Sequence, residues 1–432
     1  MGINKLNIQT VCSYFHIAST LLLFCSIPFF YSRFTQYGLI FFFSSFVIDY
    51  IASERWKKGF KINYSRIISF LLILQVVLLY IFSFFEQDPS FLSTFYEYRL
   101  AYLGFGFVGL LGFSDKFRVR HFAYSSLISV VALFVSIYSF IPDWFNNLGT
   151  ISEKLQVLVN IRGENLCSHM TINLFLCAGM ALFCKVFTLS NSKLEKIFSI
   201  FVIFLYFVLI IISDGRIGMF NACLLLGCIL LRLTIKKLKF LISILSSLVV
   251  IVILGLCVIF TDNPIKSRIP ALNKVNAREY IWEEGINKIK QSPILGVGAS
   301  TNAVQFKEML VKNEELNNSD KFLLNLIQEN KLYSIHPHNQ IMQSWQEYGL
   351  IGLLAILGLF ITIILSIRST LTLCMIFTPI LIQLQTDIID GGITVIGFCT
   401  YIYLILVLLE SKQVGKEKIG SFKWTSRTPS NA

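Results

Sequence analysis

The sequence predicts an all-α polytopic membrane protein of about twelve transmembrane helices, with one long helical loop outside the membrane. Three observations carry this. The first is composition: of 432 residues, 55% are hydrophobic and only 14% are charged, against roughly 25% charged in a soluble domain. Mean hydropathy is +0.68, and aromatics are abundant, with 40 Phe, 17 Tyr and 5 Trp. The second is the shape of the apolar stretches, which are continuous. A barrel strand would alternate, so the spans are helices. The third is the sidedness of Lys and Arg. Together these exclude a secreted disulfide scaffold, a cytosolic enzyme and a protein with a large soluble head. The net charge of +12 is scattered between apolar runs, which fits cationic loops against an anionic leaflet and not nucleic acid.

Taken in order, the predicted spans are roughly 11–31, 37–52, 67–85, 100–114, 122–141, 170–187, 197–213, 217–233, 240–260, 344–366, 371–389 and 393–410. The first run is long enough to cross a bilayer and another follows at once, which argues against a cleavable signal. With the N-terminus inside, 22 Lys and Arg fall on cytoplasmic segments. The short loops opposite hold five: Arg33, Arg99, Lys154, Arg162 and Arg216. The other ten lie in one long loop, where the positive-inside rule does not count them. Both termini are therefore expected inside and the long loop outside. The organisation is 1–260 for spans one to nine, 261–343 for the outer loop, 344–410 for spans ten to twelve, and 411–432 for a basic cytoplasmic tail.

Within the loop, Asn276 to Lys290 reads as an amphipathic helix. Asn276 can cap it, with Glu279 three residues on. Val275, Trp282, Ile286 and Ile289 recur at helical spacing, and Ser292-Pro293 stops it. Further helical stretches are expected near 304–312 and 321–329. Of ten cysteines, nine lie in or beside apolar runs and Cys167 sits near a loop end. No Cys-x-x-Cys or Cys/His metal spacing occurs, so no metal site is expected.

The chemistry-bearing residues that this topology sends to the outer face are few: Arg162, the Ser213-Asp214-Gly215-Arg216 turn, Arg278, and His336-Pro337-His338-Asn339. Each has a plain reading as well as a functional one. Arg216 lies between two apolar runs and can be a snorkelling interface arginine. Arg278 can be a solvated helix charge beside Glu279 or Glu283, and Arg162 a loop charge paired with Glu164. Pro337 favours a first helical turn, which would put His338 at the start of span ten. There the helix dipole disfavours the imidazolium and leaves a neutral base. The plain alternative is a histidine that merely starts the helix. Gly296-Val297-Gly298 reads as a turn and not a P-loop, since no Gly-Lys-Ser/Thr follows.

These pieces resemble a family. His338-Asn339, nine residues, Gly349, two residues and Gly352 form the H-N-x9-G-x-x-G pattern of bacterial O-antigen ligases. The Ser213–Arg216 turn resembles that family's Ser-Arg-Gly-type turn, although Asp and Gly intervene. Arg278, Trp282 and Ser292-Pro293-Ile294-Leu295-Gly296-Val297-Gly298 resemble its Arg…Trp…Asn-Pro-Leu-x-Gly-Val-Gly run, with Ser in place of Asn at 292. The motifs cover about 205–360; the first 160 residues match only in character.

The resemblance implies a GT-C-like glycosyltransferase of the bacterial inner membrane, its long loop and active site periplasmic. The donor would be O-antigen on undecaprenyl pyrophosphate, and the acceptor a sugar hydroxyl of lipid A-core. Arg162, Arg216 and Arg278 would neutralise the pyrophosphate with bidentate contacts, and His338 would take the acceptor proton. His336, Asn339, Trp282, Gly349 and Gly352 would support the site. No cofactor is implied. Gly349 and Gly352, read as one helix face, would admit a neighbouring helix or polyprenyl tail. Three alternatives stay open: an O-antigen polymerase, a protein O-oligosaccharyltransferase, and, from a different class, a transporter. The transporter reading would lean on Asp49, Asp387 and Gln75 as mid-membrane polar groups.

Overall fold

A computed structural model describes residues 2–29, 33–57, 62–83, 89–113, 116–137, 169–212, 216–234, 277–298, 339–368, 370–383 and 394–411. Its regular structure there is helical: α1 (Gly2–Ser26), α2 (Arg33–Ala52), α3 (Tyr64–Ser83), α4 (Pro89–Leu111), α5 (Val119–Ile137), α6 (His169–Leu189), α7 (Lys193–Ile212), α8 (Arg216–Thr234), α9 (Ala277–Gln291), α10 (Gln340–Ile367), α11 (Leu371–Gln383) and α12 (Thr394–Glu410). Six of these are long and apolar enough to cross a membrane, and five more are shorter apolar helices. Eleven of the expected spans thus fall on described helices. The span expected at 240–260, and the loop helices expected near 304–312 and 321–329, lie outside the described residues.

Local sequence sets the ends. Pro28 sits in the 3₁₀ turn Ile27–Phe29 that closes α1. The Asn63 side chain accepts from the Arg66 backbone N–H at 3.0 Å and caps α3, the usual service of Asn at a helix start. α4 begins at Pro89, well before the expected 100. Proline is favoured in a first turn, and the aromatic, polar stretch after it still propagates a helix even though it is not apolar enough to be read as a span. Arg99, read from sequence as a loop charge, therefore lies inside a helix.

Sequential helices pair as hairpins, α1 with α2, α3 with α4 and α6 with α7. α5 bridges α1 and α6, while α10 packs on α3, α11 on α6 and α12 on α4. The interior is strongly aromatic. Phe42 stacks on Phe105 with centroids 5.2 Å apart and meets Tyr403 edge-on at 5.0 Å; Phe24 meets Phe122 edge-on at 5.5 Å and Phe175 at a tilt at 5.1 Å. In a bilayer, where lipid is as apolar as the side chains, such dispersion contacts and interhelical hydrogen bonds are what hold helices together. The outward-facing residues are apolar too, among them Ile128, Phe201, Phe204, Leu354 and Ile361, as lipid requires and water does not.

Two buried polar groups tie the N-terminal hairpin to the rest. His16 contacts Ser45 through Nδ1 at 3.1 Å and the Tyr403 hydroxyl through Nε2 at 3.2 Å. Asp49 accepts from Ser13 at 2.7 Å and pairs with Arg55, whose other nitrogen donates to the Gly112 carbonyl at 2.8 Å. Asp49 is thus neutralised within its own hairpin, which removes it from the mid-membrane polar groups a transporter would want. Gln75 is buried on α3, and Asp387 lies outside the described residues.

Candidate functional site

α10 is the helix around which the site is built. Asn339, extended at φ −152° and ψ 113°, caps it by accepting from the Met342 backbone N–H at 3.1 Å. The expected start at Pro337, with His338 in the first turn, is therefore corrected: the first helical residue is Gln340. The physical reason is the cap itself, because an Asn side chain satisfies an orphan N–H that imidazole serves poorly. His338 directly precedes the cap in the chain.

The first two turns of α10 are polar yet buried. Gln340, Gln343, Ser344, Gln346 and Glu347 all lie inside the protein. Gln343 donates to Glu347 at 2.8 Å and Gln340 to Ser344 at 3.3 Å. Arg99, 2% exposed, reaches across from α4 to donate to Glu347 at 3.1 Å and to the Tyr348 hydroxyl. A charge pair this deep must be held in good geometry to offset its desolvation.

Then the helix breaks. Gly349 adopts φ 60° and ψ −149°, a conformation essentially reserved for glycine. The segment after α9 docks into the break by main chain. The Val297 and Gly298 N–H groups donate to the Gln346 and Glu347 carbonyls at 2.7 and 3.2 Å, and the Leu350 N–H donates to the Ile294 carbonyl at 3.1 Å. Trp345 Nε1 donates to the Pro293 carbonyl at 3.1 Å. The expectation that Gly349 and Gly352 share a regular helix face is thus corrected. Gly349 is where the helix stops being regular, and what approaches it is the backbone of Ile294–Leu295. Gly296-Val297-Gly298 is also more than a turn. At Gly296, with φ 77°, a Cβ would sit 2.5 Å from the Glu347 carbonyl oxygen and from the Gly349 nitrogen. The two glycine motifs are two halves of one joint.

Replacing Gly349 by Ala should break that joint. The strained dihedrals alone cost about 1–3 kcal/mol, and the new methyl overlaps the Ile294 carbonyl. The expected result is a lowered apparent Tm in detergent, with faster proteolysis of the chain around 292–298. An unchanged Tm and cleavage pattern would mean that the break is incidental.

α9, Ala277–Gln291, packs on α10. Gly285 lies against Gln346 and Met342, and Lys288 is buried, whereas the apolar stripe residues Trp282 and Ile286 are exposed. Of the sequence-predicted site residues, Arg278 is the second residue of α9 and Arg216 the first of α8. Gly349 lies at the joint and Gly352 one turn beyond it, Asn339 caps the start of α10, and Trp282 is exposed on α9. Arg162, His336 and His338 lie outside the described residues. The residues that sequence reasoning missed are Arg99 and Glu347. An acidic residue eight positions after Asn339, at the head of an apolar span, was the available signal.

These apolar helices, packed with their charges paired inside and their outer surfaces apolar, define a multi-pass helical membrane protein built around an interrupted helix. Residues 201–357 match the family model described as O-antigen ligase. The match agrees with the kinship drawn from the motifs: the segment from the middle of α7 to the middle of α10 is similar to the O-antigen ligase family. Arg216, Arg278, His338 and both glycine motifs lie within it, and Arg162 precedes it. No curated protein matches the chain.

Proposed function

We propose that the protein is an O-antigen ligase of the bacterial inner membrane with its site facing the periplasm. It moves O-antigen from undecaprenyl pyrophosphate to a sugar hydroxyl of lipid A-core. The observation that carries this reading is the joint described above, lying within the family segment. It ties α9, which bears Arg278, to the helix whose cap follows His338.

In this reading the acceptor oxygen attacks the anomeric carbon of the donor sugar as its proton passes to His338. The bond from that carbon to the phosphate oxygen breaks, and undecaprenyl pyrophosphate leaves with the electron pair. A single displacement inverts the anomeric configuration. Arg216, Arg278 and Arg162 meet the growing charge on the pyrophosphate through bidentate hydrogen bonds, so the reaction is metal-independent. Trp282 and His336 have supporting roles, and Asn339 fixes the start of α10.

The test is the lipopolysaccharide profile of a ligase-null strain carrying this gene. Restored ladders are expected, with Leu310→Cys labelled from outside intact cells. Arg216→Lys should lose most of the ladder at equal expression, because a point charge lacks the planar fork, and Arg278→Ala should do likewise. Rescue of a polymerase-null strain in place of a ligase-null one would assign the acceptor to a second lipid-linked chain and overturn the ligase reading.

A further inference from the structure

The joint at Gly349 also fixes a depth. α10 is too long for a bilayer, but from Leu350 to Ile367 it rises about 27 Å at 1.5 Å per residue, close to the roughly 30 Å hydrocarbon core. That section carries outward-facing Leu350, Ile351 and Leu354, while the section before Gly349 is the buried polar one. The break therefore lies at a boundary of the hydrocarbon core. Because the Leu350 N–H donates to the Ile294 carbonyl, Ile294 and Leu295 lie at that same boundary, and they are 65% and 64% exposed.

α9 continues this surface. At about 100° per residue, its described positions sort into three adjoining sectors. Gly285, against Met342 and Gln346 of α10, and Lys288 are buried. Next come Ile289, half-buried, with Trp282 and Ile286, 38% and 45% exposed. Then follow Lys290, Glu283 and Asn287, polar and exposed. The apolar sector thus lies between the docked face and the polar face, as in a helix resting in an interface. Trp282 has the amphipathic ring that favours headgroup depth, and Lys290 borders the apolar sector where anionic headgroups would sit.

We propose that α9 and Ile294–Leu295 form a monotopic collar around the break in α10, with Trp282, Ile286, Ile294 and Leu295 embedded in the acyl chains of bilayer phospholipid. The occupant is lipid because the patch is continuous with the lipid-facing side of α10 and is held at its depth by main-chain hydrogen bonds. That the leaflet is the outer one rests on the topology proposed above; the depth does not. The described residues after α9, 292–298, are then a membrane-level wall of the site.

The full chain, with native cysteines replaced and its Tm unchanged, is spin-labelled singly at Ile286→Cys, Ile294→Cys, Leu295→Cys and, as the aqueous reference, Asn287→Cys. It is reconstituted in phosphatidylethanolamine–phosphatidylglycerol nanodiscs. Collision with oxygen relative to a water-soluble nickel chelate should be several-fold higher at 286, 294 and 295 than at 287. Equal exposure of all four to the chelate would overturn the collar and leave an aqueous loop. Shielding of 286, 294 and 295 from both reagents would also overturn it, by showing protein in place of lipid. The measurement needs neither donor nor acceptor, so it stands or falls separately from the ligase reading.

Discussion

Arg99→Ala should destabilise the protein in detergent by about 3–5 kcal/mol, the cost of stranding one member of a buried ion pair. Arg99 is enclosed by α4 and α10 and donates both to Glu347 and to the Tyr348 hydroxyl. Its loss leaves the Glu347 carboxylate without that cation, next to the break at Gly349. The double variant Arg99→Met, Glu347→Leu removes both charges and should recover most of the loss, because a well-packed apolar pair is often as stable as a buried ionic one. Thermal denaturation of the two variants separates the contributions. Equal loss in the single and double variants would mean that the pair contributes packing volume and not charge compensation. Transfer measured on the stable double variant then asks whether the pair also positions the start of α10.

His338→Ala should lower transfer by about 10²–10⁴-fold, the range for removing a general base, and undecaprenyl-linked O-antigen should accumulate. His336→Ala should be milder. The cap makes this test cleaner than the sequence alone could promise. Since Asn339 accepts from the Met342 N–H, the helix start does not depend on residue 338, and Tm should hold in His338→Ala. Asn339→Ala should instead cost about 1 kcal/mol. Full ladders with both His338→Gln and His338→Asn would remove the proton-acceptor role.

The spans were legible because a continuous apolar run has one structural answer in lipid, and the amphipathic α9 was legible from its spacing and its Ser-Pro stop. What the sequence hid was of two kinds. The start of α4 was hidden because helix propensity and hydropathy part company between Pro89 and Tyr98, so Arg99 read as a loop charge although it is buried. The break at Gly349 was hidden because the span expected at 344–366 runs straight through it, and only tertiary hydrogen bonds, such as the one from Trp345 to the Pro293 carbonyl 52 residues upstream, reveal that a second backbone enters there. The glycine motifs announced a special place, but pairing Gly296 with Gly349 is a tertiary fact that neither motif states alone. The helix start was misplaced by three residues because Pro337 and Asn339 are competing punctuation, and the cap prevailed.

The hydrogen bond from His16 to Tyr403 spans 387 residues, and this has a bearing on biogenesis. At about 5–20 residues per second, roughly 20–80 s pass between synthesis of α1 and of its partner on α12. The Asp49–Arg55 pair is local and can form as soon as the first hairpin is made, but Gly112 reaches it only with the end of α4. The nascent N-terminal hairpin therefore enters the bilayer with its charge neutralised and its imidazole still awaiting a helix near the other end of the chain. A chain stopped before α12 would retain every expected charge pair of the first hairpin and yet lack the contact that closes the bundle, a defect that membrane quality-control proteases are suited to read.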